Sequence, residues 1–82
     1  MTREPITIAA AAARLSFAGV ERSERTVRTW ASRYHARKLA RSGKTAYYDW
    51  HDLKTIERCI RLGQHVPETP DERDQLRARL AA

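Results

Sequence analysis

Ser23-Glu24-Arg25-Thr26-Val27-Arg28-Thr29-Trp30, read as SERTVRTW, has the order of a helix start. A serine able to cap comes first, an acid suited to the helix dipole follows, and apolar residues then recur at every third or fourth place. The predicted helix runs from Glu24 to about Tyr34. Wound at about 100° per residue, it gathers Val27, Trp30, Ala31 and Tyr34 on one side, and Arg25, Arg28, Thr29 and Ser32 on the other. Thr26 and Arg33 fall on a flank. One face is core and the opposite face is hydrogen-bond donors.

Downstream the period changes. Lys38-Leu39-Ala40 and Thr45-Ala46-Tyr47-Tyr48 flank Arg41-Ser42-Gly43-Lys44, which predicts a β-hairpin with a four-residue basic tip. Of the two tyrosines, one is expected to face inward and the other outward. Asp49 is the next cap, and Trp50 to Leu62 the longest helix, with Trp50, Leu53, Ile56 and Ile60 as its buried stripe and Gly63 closing it. Upstream, Thr7 caps a short helix over Ile8–Leu15, whose alanine run permits close approach of another helix. Ser16 to Arg22, with Gly19, reads as a turn. Pro67 and Pro70 break the chain before a short terminal helix over Asp71–Ala82, with Leu76 and Leu80 one turn apart. The expected division is a domain over 1–63 and a tail over 64–82. The fold class is mainly α with a small β-hairpin wing, in the order helix, turn, helix, hairpin, helix.

Charge points the same way as the helix faces. Eighty-two residues carry sixteen Lys and Arg against ten Asp and Glu, a net charge of +6. From Arg22 to Lys44 eight cations (Arg22, Arg25, Arg28, Arg33, Arg37, Lys38, Arg41, Lys44) face one acid, Glu24. Such a block inside a folded segment is the footprint of a phosphate-binding surface, and the expected partner is double-stranded DNA. A helix of this kind fits the major groove, where arginine grips guanine edges and serine or threonine holds base or phosphate. The hairpin tip would reach the neighbouring minor groove or its phosphates.

Catalysis finds little material here. His35, His51 and His65 have no metal-ligand spacing with Cys59, and the three glycines form no phosphate loop. Asp49 and Asp52 read as a cap and a first-turn acid. Lone Cys59 reads as a small buried apolar residue. No enzyme activity, cofactor or metal is expected. The apolar stretch Ile6–Ala13 follows no basic region and is too short to span a bilayer, so a cytoplasmic protein without a membrane partner is expected.

From Ile6 to about Leu62 the chain resembles the MerR-like winged-helix domains, above all the small phage excisionases, or recombination directionality factors. The resemblance is carried by ITIAAAAARL, SERTVRTW, RSGKTAYY and DWHDLKTI. It implies that Ser23, Arg25, Thr26, Arg28 and Thr29 lie at the DNA face of a recognition helix. Arg41 and Lys44 would lie on the wing, with Ser42 and Thr45 beside them, and Arg33 would complete the helical set. Connecting the first two helices, Ser16 to Arg22 is longer than the tight turn usual in such domains. The long dimerisation helix and effector-binding region of MerR regulators proper are missing, which favours an architectural factor. Excisionases imply further partners: copies of themselves bound side by side on bent DNA, and an integrase. A small transcriptional repressor or activator is the alternative. From a different class, the basic face would meet an acidic protein instead.

Overall fold

A computed structural model describes residues 3–81; Met1, Thr2 and Ala82, at the outer ends of the expected segments, lie outside it. The elements are β1 (Pro5–Ile6), α1 (Ile8–Phe17), α2 (Glu24–Arg33), β2 (Lys38–Ser42), β3 (Thr45–Asp49), α3 (Trp50–Arg61) and α4 (Pro70–Ala81). The fold is mainly helical, with one small antiparallel sheet in the order β1-β3-β2. No helix among the described residues is long and apolar enough to cross a membrane.

Each helix starts where a side chain can take up an orphan backbone donor. Thr7 Oγ1 accepts from the Ala10 N–H at 3.1 Å, Ser23 Oγ from Thr26 at 3.1 Å, and Asp49 Oδ1 from His51 at 3.2 Å. The last helix begins one residue before the expected Asp71, because Thr69 Oγ1 accepts from Glu72 at 3.2 Å with Pro70 in the first helical position.

Helices α1, α2 and α3 end with one device, a bond from the third residue beyond the helix back to a carbonyl five residues earlier. Val20 N–H reaches the Leu15 carbonyl at 2.8 Å, so α1 extends to Phe17, two residues beyond the expected Leu15. Gln64 reaches Cys59 at 2.8 Å and Ala36 reaches Ala31 at 2.9 Å. The left-handed position is Gly19 after α1 and Gly63 after α3, but His35 (φ 52) after α2. An L side chain is strained there. His35→Gly is therefore expected to stabilise the fold by roughly 0.5–1 kcal/mol, once the added freedom of the unfolded chain is deducted. Urea unfolding followed by circular dichroism checks the direction.

The hairpin is tighter than expected. Ser42 pairs with Thr45, so the turn is Gly43-Lys44 alone, and Arg41 and Ser42 belong to β2 rather than to a four-residue tip. Only Gly43 has positive φ (+60), the pattern of a type II′ turn, whose twist matches the strands and lets pairing run to its edge. Leu39 is an extra residue between the pairs Lys38↔Tyr48 and Ala40↔Tyr47, a bulge near the base. Strand β1 was not expected from the sequence. Its two residues pair as Pro5↔Asp49 and Ile6↔Tyr48, with the proline on an outer strand where its missing donor is tolerated.

The core lies where α1, α2 and α3 meet. Ala11, Val27, Leu53 and Ile56 are fully buried, and Trp30, Ala31 and Trp50 nearly so. Tyr34, Tyr48, Ile60 and Leu76 pack on its edge. Cys59 is buried among them, and desolvation raises its thiol pKa.

Helix α4 packs on α3, and its fourth residue, Arg73, is a fully buried arginine. Arg73 Nη1 donates to the carbonyls of Tyr34 (2.7 Å) and Pro67 (2.9 Å). Its Nη2 donates to the His35 carbonyl (3.1 Å) and to Asp52 Oδ2 (3.4 Å). A cation thus sits on the carbonyl end of α2, where the helix dipole favours it. Asp52 is fully buried as well, and accepts from the Arg37 N–H at 3.0 Å and from Arg77 at 3.4 Å. Nearby, Asp74 takes both guanidinium nitrogens of Arg3 (3.1 and 3.0 Å), together with Arg37 and Arg77. Arg3 in particular holds the Asp74 carboxyl at about 2. Depressed in the folded state, this group stabilises the fold above the ordinary carboxylate pKa and loses that contribution as pH falls towards 2. About 1 kcal/mol is expected to disappear between roughly pH 4.5 and 2, after allowance for screening at a partly exposed site. Asp74→Asn should flatten that part of the acid titration of the melting temperature.

Candidate nucleic-acid interface

Ser23 fixes the start of α2 and is occupied in doing so, since its hydroxyl also donates to Thr26 Oγ1 at 3.0 Å. Thr26 is consequently half-buried, whereas Arg25, Arg28 and Thr29 are exposed. The Thr29 hydroxyl donates back to the Arg25 carbonyl at 2.9 Å, which leaves its oxygen free to accept but not to donate elsewhere. Arg33 stacks over the Tyr34 ring, 5.2 Å from its centroid, at the far end of the helix. On the hairpin, Arg41 Nε donates to the Gly43 carbonyl at 3.2 Å, which ties this long side chain to the turn. Ser42, Lys44 and Thr45 are exposed around it.

Between α2 and the hairpin lies a groove of about 380 Å³. It is lined by Arg28 from α2, by Lys38, Arg41, Lys44 and Thr45 from the hairpin, and by Thr7, Ile8 and Ala9 at the first turn of α1. Glu24 of α2 lines it as well, an acid among four cations. Four of the expected site residues are thereby brought together: Arg28, Arg41, Lys44 and Thr45. Ser23, Arg25, Thr26, Thr29, Arg33 and Ser42 do not line this groove and occupy other parts of the α2 and hairpin surface. The α1 turn was not singled out from the sequence, and Lys38 only as one cation of the basic block. The hairpin register sets Lys38 across from Tyr48 with its ammonium 5.9 Å from the ring. The α1 turn contributes backbone N–H groups, of the kind that hold phosphates at helix starts, and no side-chain pattern marks it.

The eight cations of the basic block divide into two groups. Arg22 pairs with Glu57 at 3.4 Å and stacks over Trp30, and Arg37 pairs with Asp71 (3.4 Å) and Asp74 (3.3 Å). Both are spent on the fold. Among the described residues, Arg25, Arg28, Arg33, Lys38, Arg41 and Lys44 have no carboxylate within ion-pair distance. All six belong to α2 and the hairpin. Six of the cations without an ion-pair partner among the described residues thus lie on α2 and the hairpin, while arginines elsewhere are mostly tied to buried or half-buried acids.

Asp49 and Asp52 are both buried, the first as the α3 cap bound to Arg3 (3.3 Å), the second as the acceptor for Arg73 and Arg77. Among the described residues no three His, Cys, Asp or Glu side chains come together as a metal site. The chain matches no family model, and comparison with curated proteins and with solved structures finds no significant match.

Proposed function

We propose that this chain is a winged helix-turn-helix module that binds double-stranded DNA, with α2 as its recognition helix and the β2–β3 hairpin as its wing. The carrying observation is the group of six cations on those two elements without an ion-pair partner among the described residues, four of which (Arg28, Lys38, Arg41 and Lys44) share one groove. A surface evolved only for solubility would intersperse acids. Ten residues of α2 span about 15 Å, and the major groove of B-DNA, about 12 Å wide, admits such a helix. Arg25 and Arg28 would read base edges, with Ser23, Thr26 and Thr29 beside them. Arg33, Arg41, Lys44 and the first turn of α1 would grip phosphates.

Fluorescence anisotropy on duplex DNA across a range of salt tests this directly. Three phosphate-neutralising cations, Arg33, Arg41 and Lys44, imply a log–log slope on the order of −3. Arg41→Ala is expected to lower affinity evenly across sequences and to reduce the slope by about 1. An unchanged slope would take the wing off the DNA.

The resemblance to excisionases gives the proposal its finer form. Copies would bind side by side on an attachment site and bend it, so that an integrase assembles for excision. Bending costs on the order of 1–6 kcal/mol, which several cooperating copies could offset. A gel-shift titration distinguishes the outcomes. A ladder of shifted bands with anomalous mobility supports the excisionase form, and a single sharp shift supports a repressor or activator. No shift at low salt would overturn DNA binding itself.

A further inference from the structure

A second groove, of about 460 Å³, lies between the end of α1, the length of α3 and the inner side of α4. It shares no lining residue with the first. Leu15, Val20 and Leu76 make its apolar floor, Trp50 lies under Arg14 and Lys54, and Leu80, 58% exposed, forms a lip. Its edge is cationic. Arg14 stands over the Trp50 ring, and Lys54, Arg58 and Arg61 recur along α3 at helical spacing. Lys54 and Arg58 are exposed and have no ion-pair partner among the described residues. The single acid in the lining, Glu57, is buried and already bound to Arg22 and Arg61.

We infer that this groove is a docking site for an acidic amphipathic helix of another protein. An apolar floor with a basic edge complements a helix whose leucine-like residues repeat at i, i+3, i+4 and i+7 and whose flanks are Asp or Glu. A second copy of this chain fits poorly, since it would set one cationic edge against another. Duplex DNA fits poorly too, because phosphates gain nothing from a floor of Leu15, Val20 and Leu76. Helix α4 is one wall of the site, and DNA and protein partners would sit on different faces of one small domain.

The test uses the full chain and a fluorescein-labelled synthetic peptide with leucines at i, i+3, i+4 and i+7 and glutamates elsewhere. A second peptide replaces the leucines by serines at unchanged charge. Micromolar binding of the first alone is expected, weakened at least about tenfold by the double substitution Lys54→Glu, Arg58→Glu, with the melting temperature unchanged. Lys54→Arg, Arg58→Lys should retain binding. Equal binding of the serine peptide would overturn the inference, because it would report charge attraction alone. So would binding that ignores the charge reversal and is competed by a short DNA duplex, which places the peptide on α2 and the hairpin. Dimerisation in sedimentation that is abolished by Leu80→Asp would likewise overturn it, in favour of a second copy.

Discussion

Replacing Arg73 by methionine is expected to remove about 3–5 kcal/mol of stability, the range found when one partner of a buried ion pair is deleted. Domains of this size hold on the order of 5–15 kcal/mol in total, so the variant should be largely unfolded well below the melting temperature of the parent. Methionine keeps much of the apolar stem but none of the donors. Asp52 would lose a cation, and the carbonyls of Tyr34, His35 and Pro67 would lose the guanidinium between them. Arg73→Lys should recover only part, because one ammonium cannot span four acceptors. Adding Asp52→Asn to the methionine variant should give no recovery, because the carboxylate still answers Arg77 at 3.4 Å and the Arg37 N–H at 3.0 Å. Urea unfolding by circular dichroism reads all three. A loss under about 1 kcal/mol in Arg73→Met would mean that Leu76 and its neighbours hold α4 alone.

Arg28→Ala is expected to weaken binding to a selected DNA site by about 1–3 kcal/mol, a fold-change between about 5 and 150, while the melting temperature stays put. Arg28 is exposed, has no ion-pair partner among the described residues, and is the α2 cation that shares the groove with Arg41 and Lys44. Anisotropy titrations at fixed salt, on the selected site and on an unrelated duplex, separate its two roles. A base contact weakens the selected site far more than the unrelated one, and Arg28→Lys fails to rescue it because the forked donor geometry is lost. A phosphate contact weakens both duplexes alike and lysine largely restores it. Wild-type affinity on both duplexes would remove α2 from the interface.

The helices were legible because their signals are local. Thr7, Ser23 and Asp49 each cap the helix that was expected to begin beside them, and the apolar periods of α2 and α3 put Val27, Trp30, Leu53 and Ile56 in the core. The remainder depends on residues distant in sequence. β1 is two residues long, too short to show alternation, and exists because Asp49 and Tyr48 offer it an edge. Arg22 and Arg37 looked like members of the binding surface, and only the folded chain turns them onto Glu57, Asp71 and Asp74. Arg73 sits in a helix whose sequence is strongly polar throughout, and no pattern in such a helix foretells a buried guanidinium. In the candidate site, the sequence located the cations but not the groove, which needs the hairpin register and the first turn of α1.

The bond between Arg3 and Asp74 joins residues 71 positions apart, and Arg37 reaches the same acid across 37. Most other contacts are made between neighbouring elements, and these can form quickly because little chain must be closed into a loop. Closing so long a loop costs the most chain entropy, so the two ends of the polypeptide are expected to meet late on the way to the native state. By the same reasoning α4 is expected to lift first on unfolding, and the grip of Arg73 on the end of α2 to be released with it.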